Sequence, residues 1–303
     1  MLTAGAAPAD RGALAGHGAM LAFSALVAGS FALGVMAAGE IDPAVLMVPR
    51  FILGAALVGA TAAVAGKLRA SYYRGAWRHA VLGGLFAAYF ILMFEALKTA
   101  DAVSAAAIFT LTPPMAGVFG WLLLRQVTTR RAAAAIAVGA AGALWVIFDA
   151  SVEAMLALRL GRGEAIYLVG CVAHAIYTPM VPKLARGEPV LALSFGALAA
   201  GAVWSLVAAG RGIVETDWAA LPGIVWITLL YLAVPATAVT GTLIQFASLR
   251  LPASSVMAYT YLVPSWVILW EIALGRGWAG PAILPGILLT VAAMALLLTA
   301  GRR

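Results

Sequence analysis

Residues Asp101–Leu124 read DAVSAAAIFTLTPPMAGVFGWLLL. A membrane-crossing helix takes about 20 apolar residues, and this stretch is long enough for one, with prolines near its middle. Its spacing recurs 150 positions later: Ser104, Thr110 and Pro114 are matched by Ser254, Thr260 and Pro264 in PASSVMAYTYLVPSWVILWEIALG. Proline has no N–H to give to the carbonyl four residues back, and in both stretches that residue is the threonine. Each stretch is therefore expected to soften at the same depth, with Thr110, Pro114, Thr260 and Pro264 as paired hinge residues.

Working outward, the chain of 303 residues is 64% hydrophobic and 10% charged, whereas soluble domains carry roughly 25% charged residues. Apolar runs recur from end to end without the polar face that a soluble amphipathic helix shows at a 3.6-residue period. The composition predicts an all-α, multi-pass membrane protein. The single cysteine, Cys171, excludes an internal disulfide and reads as a small packing residue. A net charge of +7 is compatible with nucleic acid, but the basic residues cluster at helix ends, which suits headgroups and topology instead.

After a polar tail, residues 1–13, the apolar runs span about 14–38, 43–66, 75–97, 101–124, 129–149, 163–184, 189–210, 218–249, 253–274 and 278–300. The first is too long for a signal-peptide core of about 7–15 residues and is read as retained. The eighth is long enough to tilt or to extend beyond the bilayer at one end. With the N-terminus inside, 13 Lys and Arg fall in inner segments and 5 in outer ones, so both termini are expected in the cytoplasm. Ten runs divide as 14–150 and 163–300, joined by a loop over 151–162. Five helices per half is an odd number, so the halves are expected to insert as inverted repeats, an arrangement tied to secondary transporters with a midplane site.

Enzyme signatures are absent: no HExxH, GxSxG or Gly-rich phosphate loop, and His17, His79 and His174 are scattered, so neither a metal nor any other cofactor is expected. Charged groups inside the runs are costly and usually functional. Arg50 lies two turns into the second run. It either snorkels or pairs with Glu95 or Glu271, or it contacts a substrate carboxylate. The first run holds no Asp or Glu between Leu14 and Gly39, which speaks against a proton-coupled exporter of cationic drugs. The other candidates are aromatic or weakly polar. Tyr167, His174 and Tyr177 share one face of the sixth run. Tyr89, Phe86 and Met93 share one in the third, with Phe90 and Phe94 adjoining. Ser255, Tyr259, Leu262 and Trp266 form a stripe in the ninth, and Tyr231, Pro235, Ala238, Thr242 and Gln245 one in the eighth. Trp77, Trp121, Trp218 and Trp278 fit an interfacial belt. The candidate substrate-binding set is Arg50, Tyr89, Phe94, Ser104, His174, Tyr177 and Tyr259; helix packing is the other reading of these side chains.

In combination, the small/polar–Thr–Pro spacing of Ser104–Leu124 and Ser254–Gly275, together with Val138-Gly139, Pro285-Gly286 and Arg50-Phe51, resembles the EamA-type drug/metabolite transporter superfamily. Many members carry Leu-Gly-Glu after the fourth and ninth helices, where this chain has Leu124-Arg125-Gln126 and Leu274-Gly275-Arg276. That departure is closer to the YddG-like amino-acid and metabolite exporters. The resemblance implies a central cavity between helices one to four and six to nine, with helices five and ten at the periphery.

The reading is an inner-membrane secondary transporter exporting amino acids, aromatic or apolar favoured, by alternating access, its partners being the small-molecule cargo and the bilayer. The alternatives are a carrier of nucleosides or sugar derivatives, and a structural membrane subunit without cargo.

Overall fold

The computed structural model describes residues 8–148, 150–153, 161–277 and 280–300. Asp149, Arg159, Trp278, Arg302 and Arg303 lie outside the described residues, as does most of the 151–162 loop. Among the described residues all regular structure is helical. The main elements are α1 (Pro8–Ala37), α2 (Pro43–Val64), α3 (Trp77–Ala96), α4 (Ala102–Phe109), α5 (Thr112–Leu124) and α6 (Arg130–Ile147). They are followed by α7 (Arg162–Leu184), α8 (Val190–Ala209), α9 (Gly223–Ala233), α10 (Thr240–Ser248), α11 (Ala253–Met257), α12 (Val263–Ala273) and α13 (Leu284–Ala300).

Eight helical stretches are long and apolar enough to cross a membrane, with α4–α5, α9–α10 and α11–α12 each counted as one. The fifth and tenth apolar runs form shorter helices, α6 with 18 residues and α13 with 17. The boundaries shift where local chemistry dictates. Helix α1 starts at Pro8, inside the stretch read as a tail, because proline is tolerated in a helix's first turn. The eighth run begins only at Gly223, after Pro222. The excess before it is a separate segment in which Trp218 donates to the Ile213 carbonyl at 3.1 Å. Two acids at run ends are N-caps: Asp42 accepts from the Ala44 and Val45 N–H groups, and Asp101 from those of Val103 and Ser104.

Apolar side chains such as Ile52, Leu57, Val118, Leu122, Val207 and Leu288 point outward, whereas Arg50, His174, Gln245 and Thr237 are buried. A soluble protein has the reverse arrangement, and lipid favours this one. With the apolar runs numbered one to ten, run 1 packs on runs 8 and 9, and run 6 on runs 3 and 4. Run 2 packs on 7 and 8, and run 7 on 2 and 3; runs 4 and 9 pair, as do 5 and 10. Exchanging each run with its counterpart five places on leaves these pairings unchanged.

Glycine permits the closest approaches. A methyl group built on Gly142 of α6 would sit 2.6 Å from the Gly286 carbonyl of α13, and one on Gly286 the same distance from the Gly142 carbonyl. Between α3 and α8, a methyl on Gly83 would meet the Gly201 nitrogen at 2.5 Å. At one end of the bundle, Arg78 joins the halves through a 2.8 Å ion pair with Glu188 in the α7–α8 loop and a bond to the Leu184 carbonyl. Burial alone would raise the Glu188 carboxyl, but bonds from its own N–H, the Arg186 N–H and the Arg78 guanidinium more than reverse this and hold it below the ordinary value.

Two outcomes follow from this packing. Gly142→Ala should destabilise the protein by about 1–3 kcal/mol, the usual cost of overpacking, seen as a lower melting temperature in detergent. A carboxyl depressed on folding stabilises above its ordinary pKa and loses that contribution as pH falls through the folded value. Thermal stability should therefore fall with acid below about pH 4.5, and Glu188→Gln should flatten that dependence while lowering stability at neutral pH.

Candidate functional site

The site begins at a proline. Pro235 cannot donate to the carbonyl of Tyr231, and from Val234 to Val239 the eighth run relaxes into a π turn. The Thr240 N–H there reaches back five residues to the Pro235 carbonyl. Such single-turn π segments are concentrated at functional sites. Gly54 on α2 faces the turn, its missing side chain leaving room for the Thr237 methyl. One helical turn away on α2, Arg50 is fully buried. Its Nε donates to Thr237 Oγ1 at 2.6 Å, its Nη2 to the Ala236 carbonyl at 3.0 Å, and its Nη1 to the Met47 sulfur at 3.5 Å. The guanidinium lies 3.4 Å from the centre of the Phe90 ring, a cation–π contact. Among the described residues Arg50 forms no ion pair. Glu95 binds Lys98 at 2.6 Å and Glu271 binds Arg276 at 3.3 Å, so neither acid is its partner, and full burial excludes snorkelling.

Phe90 leads into an aromatic cluster where the two halves meet. Its ring centre lies 4.7 Å from those of both Phe86 and Tyr89. Tyr89 lies 4.3 Å from His174, and Phe86 stacks on Tyr177 at 5.0 Å. Phe109, the last residue of α4, approaches His174 at 5.4 Å and Tyr89 at 5.6 Å. His174 is 1% exposed, and neither ring nitrogen has a hydrogen-bond partner. The phenol groups are better served. The Tyr89 and Tyr167 hydroxyls pair at 3.0 Å, and Tyr177 accepts from Gln245 Nε2 at 2.9 Å, whose Oε1 accepts from Ser194 at 3.0 Å.

Four candidates from the sequence, Arg50, Tyr89, His174 and Tyr177, thus share one continuous cluster. Three others lie elsewhere. Phe94 packs toward Gly34 of α1. Ser104 donates to Glu164 at the start of α7, at 2.9 Å. Tyr259 pairs its hydroxyl with His17 Nδ1 at 3.0 Å. Phe23, Phe109 and Thr237 join the cluster without having been singled out. The position of Phe109 directly before the Thr110 break is the signal that could have found it. Among the described residues no three of His, Cys, Asp and Glu gather in a way that would hold a metal.

The hinge candidates fall at real interruptions. Helix α4 stops at Phe109 and α5 begins at Thr112, with prolines in its first turn. Thr110 and Thr112 return their hydroxyls to the Ala107 and Phe109 carbonyls. In the second half a 3₁₀ turn, Ala258–Leu262, separates α11 from α12, whose first turn holds Pro264. The two breaks touch, with Thr112 Oγ1 3.3 Å from Thr260 Oγ1. Tyr177→Phe would leave the buried Gln245 amide without its acceptor, at a cost of about 1–3 kcal/mol. A lower melting temperature should result, and adding Gln245→Leu should recover much of it in a double-mutant cycle.

The EamA-like transporter family model matches residues 14–148. The chain is 25% identical over 260 residues to the uncharacterized transporter YyaM of Bacillus subtilis (strain 168), covering 84% of this chain and 85% of that protein. A crystal structure at 21% identity superposes on 97% of this chain and 99% of its own with a TM-score of 0.73, a likeness of fold. Residues 14–148 are thus similar to the EamA-like transporter family, and the chain as a whole is similar in sequence to a transporter and in fold to a solved structure.

Proposed function

We propose that this multi-pass membrane transporter of small molecules carries amino acids with aromatic or apolar side chains, or similar metabolites, outward across the plasma membrane by alternating access. The observation that carries this reading is the cluster itself. A buried guanidinium and an unpartnered imidazole flank packed aromatic rings where the two halves meet, an arrangement suited to a carboxylate joined to an apolar group. Arg50, Tyr89, His174 and Tyr177 are its substrate-contacting residues.

The inverted repeat is part of the same proposal, with both termini cytoplasmic. It is supported by the pairing of runs, which survives exchange of the halves, and by matched breaks at Thr110–Pro114 and Thr260–Pro264. The ends of the bundle add a further correspondence. The first helix of each half bonds its N-terminal part to the broken helix of the other half: His17 to Tyr259, and Glu164 to Ser104. One pair closes each end. Opening one end means breaking its pair while the interrupted helix bends, and the Thr112–Thr260 contact couples the two bends.

Reconstituted vesicles test the function directly. Saturable flux of phenylalanine or leucine is expected, and its absence, or movement of nucleosides instead, defeats the reading. Replacing Pro114 and Pro264 together with Ala offers the freed carbonyls new N–H partners, each worth about 0.5–1.5 kcal/mol. Straightening both breaks should slow turnover roughly tenfold, the factor that 1.4 kcal/mol supplies, with a smaller change in KM. An unchanged rate removes the hinge role.

A further inference from the structure

The chain buries Arg50 and Arg78, and they differ in one respect. Arg78 has Glu188 at 2.8 Å. Arg50 has only neutral acceptors. Of the five guanidinium N–H groups, one goes to Thr237, one to the Ala236 carbonyl and one to the Met47 sulfur, which leaves two for another acceptor. Among the described residues Glu188 is the one buried carboxylate, and it belongs to Arg78. The cluster around Arg50 and His174 therefore carries a positive charge that no described residue balances. Buried charges are ordinarily paired, and an unpaired one in a membrane interior marks a pathway or a ligand.

Resting on the transport-site reading above, and narrowing its cargo from amino acids to the similar metabolites named with them, we propose that the cargo held most tightly is an aryl monocarboxylate without an α-ammonium group. Its carboxylate would complete the charge of Arg50. Its ring would lie against Phe86, Tyr89 and Tyr177. His174, with both nitrogens unpartnered, meets a further polar substituent. Phe90, which covers the guanidinium face, turns aside to admit the carboxylate. A monoanion makes the site neutral. A zwitterion leaves it with the same net charge as before and adds a buried ammonium that finds tyrosine hydroxyls and ring faces but no carboxylate. A simple arylamine doubles the positive charge.

Calorimetric titration of the full-length protein in nanodiscs at pH 7.5 separates these cases with matched ligands: 3-phenylpropionate, its amide, phenylalanine and phenethylamine. The expected order places 3-phenylpropionate about tenfold or more tighter than both the amide and phenylalanine, with phenethylamine weakest. Arg50→Gln should abolish the preference for acid over amide, and Arg50→Lys, which keeps the charge, should retain part of it. The ligand order is read on the unmodified protein, so a misfolded variant does not affect it. Phenylalanine binding as tightly as 3-phenylpropionate, or an acid preference that survives Arg50→Gln, overturns the proposal. If phenylalanine is favoured and is also transported in vesicles, the charge argument alone fails. If none of the four binds and vesicles reconstituted with the protein stay silent, the amino-acid transport reading fails with it.

Discussion

Lipid offers no hydrogen-bond partner, so every backbone break within this bundle must be satisfied by protein. Among the described residues, three breaks lie inside membrane-length stretches, and each is met locally. At Thr110–Leu111, the Thr110 and Thr112 hydroxyls cover the carbonyls of Ala107 and Phe109. At Ala258–Leu262 the chain tightens to a 3₁₀ turn and places Thr260 against Thr112. At Val234–Val239 it loosens to a π turn, and Arg50 caps the Ala236 carbonyl from a neighbouring helix. The polar groups of the interior are concentrated at these repairs. A break repaired by a hydroxyl of the same chain segment is cheap to distort, whereas one repaired by a guanidinium ties two helices together.

The breaks also explain why the aromatic cluster sits where it does. Ending α4 at Phe109 brings that ring against Tyr89 and His174. The π turn holds Arg50 over Phe90, whose ring touches both Phe86 and Tyr89. Rings from α3 and α7 fill the space between. A change at either break must therefore be felt in the cluster, and anything that separates the rings would load the breaks. On the proposed function, that reciprocity would be the physical content of coupling between the site and the helix breaks.

Much of this was legible in the sequence, and the boundary of legibility is a physical one. Composition and run length identify helices that face lipid, and the proline spacing places Thr110–Pro114 and Thr260–Pro264 at interruptions. The 3.6-residue period places Tyr167, His174 and Tyr177 on one face, and all three rings meet in the cluster. Periodicity gives a face but not the neighbour that covers it. Arg50 finds Thr237, 187 positions away, and Tyr259 finds His17, 242 positions away. Both depend on how whole helices cross. Phe94 and Phe90, four residues apart, sit on the same helix; Phe90 caps Arg50 while Phe94 packs on α1. The π turn was hidden too, because Pro235 in an apolar run is equally compatible with a simple kink.

The two buried arginines among the described residues hold their charges in different ways. Removing a partner from a buried ion pair typically costs about 3–5 kcal/mol, so Arg78 and Glu188 hold each other at the bundle end, where both halves of the chain are joined. Arg50 achieves its burial without an anion, by spreading its charge over a carbonyl, a hydroxyl, a thioether and a ring face. Each contact is favourable, yet none neutralises the charge. A protein selected only for stability gains nothing from this cation, since an apolar side chain would fill the same volume without the desolvation cost. Its presence beside an unpartnered histidine is understandable if the neutralising charge arrives from outside and leaves again. On the proposed carrier function, reversible neutralisation would leave Arg50 free to offer its charge to each cargo molecule, which a permanently paired arginine could not do.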